Sequence, residues 1–129
     1  MSEPRGSAAV ELALVLPLAL VVALALLQVG LLTRDALVVA GAAREGAREA
    51  AVSVDEARIT EAALRGGGGL SATRTEVAVE RTGHVGDPVT VRVIYRAPVL
   101  VPFVDWLFPD EVVVASEATM RQETDGSGP

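Results

Sequence analysis

Hydrophobic positions near the N-terminus form one long run. From Leu12 to Leu32 the chain has 21 residues without a charge, and 18 of them are Ala, Val or Leu. At about 1.5 Å of helical rise per residue, the run would reach roughly 31 Å, close to the ~30 Å hydrocarbon core of a bilayer. Only Gln28 supplies a polar amide there, so the polar face of an ordinary buried helix is missing. The pattern predicts a transmembrane helix; a secretory signal would have a shorter apolar part and a small-x-small cleavage site.

A second helical pattern follows from Thr33 to Arg65, a stretch rich in Ala and without Pro. The segment Ser53-Val54-Asp55-Glu56 has the form of a capping box, which predicts that the helix bends or breaks at Ser53. Four glycines, Gly66 to Gly69, then end the helical pattern and form a connector. Small residues at alternating steps of four and three form a narrow seam on one helix face. The seam consists of Ala36, Ala40, Ala43, Ala47, Ala50 and Val54. Such a seam favours packing on the protein's own sheet over packing on another subunit.

Three segments in the second half of the chain alternate apolar and polar residues. They are Glu76–Arg81, Val89–Ala97 and Glu111–Arg121. A period of two is typical of antiparallel strands with one buried face. The predicted fold class is therefore α+β, in which a transmembrane helix continues into an extended, bent helix packed on a small three-stranded antiparallel sheet.

The linker between the second and third strands, Pro98–Pro109, is unusually apolar. All four aromatic residues of the chain fall between Tyr95 and Phe108. Such a loop must cover the protein's own core, lie at the membrane surface, or be buried against a partner. A lid over the small sheet is the simplest of these, but Trp also favours boundaries between apolar and wet regions, so all three remain open. The candidate interface residues are Phe103, Trp106 and Phe108.

Composition excludes several kinds of chemistry. The chain has no Cys and one His, His84, which lies in a predicted turn; a thiolate site, a disulfide scaffold and a multi-histidine metal site are therefore excluded. The formal charge is -6, every basic residue is Arg, and these residues do not cluster, which argues against nucleic-acid binding. No Gly-x-Ser-x-Gly motif is present. We expect a protein that is not an enzyme and needs neither a metal nor another cofactor.

Glu11 stands directly before the apolar run. A helix continuing through this position would place the carboxylate inside or at the margin of the bilayer. An unpaired charge there costs on the order of several kcal/mol at depth and less near the interface. Glu11 therefore either marks the interfacial end of the span or has a cationic partner supplied by cleavage or assembly.

Two blocks of sequence, separated by most of the apolar run, resemble sequences of a known protein family. The stretch Arg5-Gly6-Ser7-Ala8-Ala9-Val10-Glu11 followed by a long apolar helix with Pro17 resembles a type IV prepilin processing signature. Together with the downstream block Ala42-Ala43-Arg44-Glu45-Gly46-Ala47-Arg48, it resembles the TadE-like family of tight-adherence (Flp) pilus assembly proteins. Leu12 stands where pilins of this system favour an aromatic residue.

The resemblance implies roles for individual residues. A prepilin peptidase would cut between Gly6 and Ser7, and Glu11 would become the fifth residue of the mature chain. In pilins the equivalent Glu pairs with the new N-terminal amine of a neighbouring subunit. Packing or assembly roles follow for Arg44, Gly46 and Arg48.

The residue patterns, together with the resemblance, predict an organisation into segments and a location in the cell. The expected segments are a leader (1–6), a membrane helix (7–32, apolar span 12–32), an extracytoplasmic α+β domain (33–121) and a disordered tail (122–129). A short leader is easier to leave in the cytoplasm than to translocate, so we expect a single pass through the bacterial cytoplasmic membrane with the domain outside. Expected partners are membrane lipid, the peptidase, and other pilin, pseudopilin and pilus assembly subunits. The alternative is an uncleaved single-pass anchor that displays a small protein-binding domain.

Overall fold

The computed structural model describes residues 4–124, and these residues form the predicted α+β arrangement. A long helix is followed by a short helix, a single 3₁₀ turn and three strands. Their bounds are α1 Pro4–Val52, α2 Glu56–Gly66, the 3₁₀ turn Ala72–Arg74, β1 Thr75–Arg81, β2 Pro88–Pro98 and β3 Glu111–Arg121.

The helix α1 has 49 residues, which corresponds to roughly 74 Å at the usual rise per residue. Its apolar N-terminal part is long and apolar enough to cross a membrane and is not buried inside the protein. Its C-terminal part packs on the rest of the chain through one face, which consists of Val39, Ala42, Ala43, Gly46, Ala47, Ala50 and Ala51.

The prediction of a buried seam of small residues on α1 is therefore correct only in part. Ala43, Ala47 and Ala50 are buried, but Ala36 and Val54 are exposed. The buried face is wider than a coiled-coil seam because α1 packs against both α2 and the sheet. In a helix made largely of Ala, the sequence pattern does not distinguish neighbouring faces.

The chain reverses direction after α1. Asp55 is the N-cap of α2, and its Oδ1 accepts a hydrogen bond from the backbone N–H of Ala57 at 3.0 Å. Ser53, expected to be the cap, instead accepts the N–H of Asp55 through its Oγ at 3.2 Å. The predicted bend at Ser53 is thus a sharp turn, and α2 lies antiparallel against α1. The ion pair between Arg58 and Glu49, at 3.2 Å, joins the two helices near this turn.

The sheet has the order β1-β2-β3, and both strand pairs are antiparallel. The strand bounds agree with the prediction to within one residue, because the alternation of residues marks the strands clearly. The inner face of β2 is buried beneath α1 and consists of Val89, Val91, Val93, Tyr95 and Ala97. On the outer face, Arg92 donates to Glu117 at 2.8 Å, and this hydrogen bond raises the pKa of Arg92.

The far end of the sheet is tied to the end of α1. Arg81, the last residue of β1, donates to the carbonyl oxygens of Ala50 and Ser53 at 2.9 and 2.5 Å. These carbonyls would otherwise lack partners at a helix C-terminus. The backbone N–H of Glu123 donates to the oxygen of Ala51, and Gln122 is buried. Gln122 and Glu123 belong to the segment expected to be a disordered tail, whose residues 125–129 lie outside the described part of the chain.

Candidate functional site on the long helix

Gly6, Ser7 and Glu11 all lie on the N-terminal turns of α1 and are exposed. A Cβ atom added to Gly6 would meet no other group within 4 Å. Ser7 and Glu11 are four residues apart, so they occupy the same helix face about 6 Å apart along the axis. Within residues 4–124, no basic group lies within ion-pairing distance of the Glu11 carboxylate. Among the described residues, the fold thus presents an exposed Gly6–Ser7 pair and a carboxylate without an ion-pair partner, both at the start of the apolar part of α1.

Gly46 lies where α1, α2 and β2 meet. A Cβ added there would come within 3.0 Å of the Val91 Cγ1 atom and 3.1 Å of the Ala63 Cβ atom. Those distances are shorter than ordinary van der Waals contact. The three elements can therefore approach this closely only because residue 46 has no side chain. A packing role for Gly46 within the subunit is consistent with this geometry.

Arg44 and Arg48 lie on the opposite side of the helix from Gly46 and are exposed. Neither arginine forms an ion pair within the part of the chain that the structure describes. The structure therefore separates the three residues into one glycine that packs inside the subunit and two arginines that face outward.

The apolar loop between β2 and β3, residues 99–110, folds back onto α1 at Gln28. The Gln28 side chain is only 1% exposed, and its Oε1 accepts the backbone N–H groups of Leu100 and Val101, each at 3.2 Å. Gln28 lies four residues before the end of the apolar run, or about 6 Å along the helix axis. The loop is therefore attached to the helix inside the predicted membrane span.

The loop divides its apolar residues between two environments. Val101 and Val104 are buried, whereas Phe103 and Trp106 are 72% and 73% exposed, and Phe108 is half-buried. Of the three readings left open by the sequence, a cover over the protein's own core does not describe Phe103 and Trp106. The buried apolar side chains of the loop are instead Val101, whose backbone N–H bonds to Gln28, and Val104.

Sequence reasoning noted Gln28 as an interruption of the apolar run but gave it no role. The available signal was a lone amide among apolar residues, since a buried amide needs a hydrogen-bond partner. Its partners lie 72 and 73 residues further along the chain, and no local pattern points to them.

Reactive side chains form no centre within residues 4–124. No group of three or more His, Asp or Glu residues there is placed to hold a metal ion. His84 lies in the exposed turn between β1 and β2, and its Nδ1 is 3.4 Å from an Asp87 oxygen. The features that stand out are instead surfaces of α1 and of the loop attached to it.

Comparison with known proteins gives one match. A family model described as TadE-like protein matches residues 6–48. No curated protein and no solved structure matches the chain. The matched segment begins at Gly6 and ends at Arg48, and it includes both blocks of the resemblance. The match confirms what the sequence indicated: residues 6–48 form a TadE-like segment.

Proposed function

We propose that the protein is a membrane-anchored, pseudopilin-like structural component of a tight-adherence (Flp-type) pilus assembly or secretion apparatus. The TadE-like family indicates involvement in pilus assembly and is structural rather than catalytic. In this proposal α1 anchors the chain in the bacterial cytoplasmic membrane, with its N-terminus in the cytoplasm and the α+β domain outside. The chain itself carries out no reaction.

The observation that carries the proposal is the Glu11 carboxylate, which has no ion-pair partner among residues 4–124 and stands directly before the apolar part of α1. A charge in this position is costly unless a cation offsets it. Cleavage after Gly6 would create one at the amine of Ser7. In pilins, which this segment resembles, the equivalent amine pairs with the Glu of a neighbouring subunit. We infer the same pairing between the Ser7 amine of one subunit and the Glu11 of its neighbour, which would couple processing to assembly.

Replacement of Glu11 tests the assembly role directly. Glu11→Gln should insert into the membrane as well as the unchanged protein, because a charge is removed from lipid. Its association with other pilus subunits should fall by about tenfold or more, since a hydrogen bond to a charged group is worth about 1.5–3 kcal/mol. The measurement is cross-linking and co-purification from membranes, with flotation of the membranes as the insertion control.

Glu61→Gln provides the matched control. Glu61 is exposed on α2, outside the matched family segment, so this change removes the same charge without touching the membrane helix. Association of the control should stay at the level of the unchanged protein. If Glu11→Gln also associates at that level, Glu11 only marks the interfacial end of the span, and the protein is better described as an anchor that displays a binding domain.

A further inference from the structure

The exposed apolar part of the β2–β3 loop lies beside a helix that the proposed function places in the membrane. Leu100, Phe103, Trp106 and Leu107 are each more than half exposed. Such a group of large apolar side chains on one short loop marks an interaction surface. Gln28 holds this loop against α1 within the apolar run, so the surface continues directly from the lipid-facing part of the helix.

The loop also satisfies many of its own polar groups, as a segment in contact with lipid must. The indole N–H of Trp106 donates to the Phe103 oxygen at 2.8 Å. The Val104 oxygen accepts the N–H groups of Leu107 and Phe108 at 2.9 and 3.2 Å. Because the polar end of the indole is already bonded, Trp106 presents mainly its apolar ring to its surroundings.

The backbone of Phe103 adds a second observation. Its φ angle is +66°, in the left-handed region that a bulky residue rarely adopts. The Phe103 side chain is exposed, so its burial within the subunit does not explain the unusual backbone angle. Strained backbone conformations concentrate at binding and contact sites, so this one supports a contact role for the exposed ring.

The charge of the loop limits how deeply it can enter a bilayer. Asp105 is the one ionisable residue between Val99 and Pro109, and its side chain is exposed. A carboxylate stays at the level of the lipid headgroups, whereas Trp and Phe rings are suited to the boundary just beneath them. The attachment point at Gln28, about 6 Å inside the outer end of the apolar run, corresponds to this shallow depth.

We propose that residues 100–107 insert into the outer leaflet of the membrane that α1 crosses, with Phe103 and Trp106 beneath the headgroups. The loop then acts as a second membrane contact, which fixes the height and tilt of the α+β domain above the bilayer. This inference rests on the membrane anchor in the proposed function but not on cleavage or assembly.

Trp106 is the only Trp in the chain, so intrinsic fluorescence reports on this loop alone. The full chain is reconstituted in a large excess of phosphatidylcholine vesicles, and lipids brominated at a shallow or a deep acyl position serve as quenchers. We expect strong quenching by the shallow bromines, weaker quenching by the deep ones, and protection of Trp106 from aqueous iodide.

A relocated Trp gives the matched control. Val85 is exposed in the β1–β2 turn, at the opposite end of the 11-residue strand β2, roughly 35 Å away. In Trp106→Phe/Val85→Trp the fluorescence should be quenched by iodide and by neither brominated lipid. Gln28→Met, which removes the acceptor for the two loop amides but keeps the length of the side chain, should lose most of the lipid quenching of Trp106.

The possible failures are distinguishable. If the protein floats with the vesicles but Trp106 is quenched by iodide as strongly as the control, the loop is not in lipid and this proposal is wrong while the anchor stands. If Trp106 is protected from iodide without quenching by bromine, another copy of the chain covers it, and the proposal is again overturned. A protein that does not float with the vesicles contradicts both the anchor and the inserted loop.

Discussion

Two polar side chains on the apolar half of α1 have opposite environments. The amide of Gln28 is buried and accepts two backbone hydrogen bonds from the chain's own loop. The carboxylate of Glu11 is exposed and has no ion-pair partner within residues 4–124. Within residues 4–124, the fold therefore satisfies the Gln28 side chain with two hydrogen bonds and leaves the Glu11 carboxylate exposed.

How much the sequence alone reveals about these two residues depends on whether the groups around them are near or far along the chain. Glu11 could be singled out from the sequence, because the processing signature and the cost of the charge both depend on its immediate neighbours, and its assembly role stays a prediction. The role of Gln28 could not be predicted, because it depends on a loop that only the folded sheet brings back to the helix. The same holds for Phe103 and Trp106, since composition does not tell which side of a loop meets the helix.

The accessible glycine at the proposed cleavage site leads to a prediction at the residue scale. Gly6→Leu should leave the protein at full length in cells that contain the cognate prepilin peptidase, because a bulky residue would no longer fit a site that recognises Gly. Gly30→Leu is the matched control, since a Cβ at either glycine meets no group within 4 Å. Intact-mass measurement of membrane extracts distinguishes the forms, and normal maturation of Gly6→Leu would show that the proposed bond is wrong.

At the scale of elements, the strands were easier to predict than the path of the helices. Alternating residues on β1, β2 and β3 define both their bounds and their buried faces, because side chains on a strand point to opposite sides in turn. The sequence indicated only a bend or break at Ser53 and did not show that the chain reverses direction between α1 and α2. Its sharpness depends on the close packing of the two helices, which small residues such as Gly46 and Ala63 permit.

Two glycines on α1 allow this packing to be tested. Gly46→Ala and Gly41→Ala gain the same helix propensity, about 1 kcal/mol each. Only Gly46→Ala forces a Cβ against Val91 and Ala63, whereas the nearest atom to a Cβ at position 41 is the Gly66 oxygen at 3.4 Å. The free energy of unfolding of Gly46→Ala should therefore be lower than that of Gly41→Ala by about 1–3 kcal/mol.

Thermal or denaturant unfolding of the full chain in detergent micelles provides the measurement. The comparison between the two variants removes the contribution of helix propensity, so the remaining difference reports crowding at the junction of α1, α2 and β2. Equal stabilities would mean that the three elements can separate there at no cost, contrary to the packing described for Gly46.

At the scale of the whole molecule, one helix connects two environments. The first half of α1 is apolar and uncovered, while the second half forms the core with α2 and the sheet. The strand β2 runs back along α1 and delivers the β2–β3 loop to Gln28. The α+β domain is thereby joined to the apolar half of α1 in two places, through the continuous backbone and through this loop.

Removal of the first six residues is, we propose, what makes this anchor ready for assembly. The most direct test is N-terminal sequencing of the protein extracted from membranes of cells with and without the prepilin peptidase. We predict a chain that begins at Ser7 when the peptidase is present and a full-length chain when it is absent. A chain that begins at Met1 or Ser2 in both cells would contradict the account and would favour an uncleaved membrane anchor that displays a binding domain.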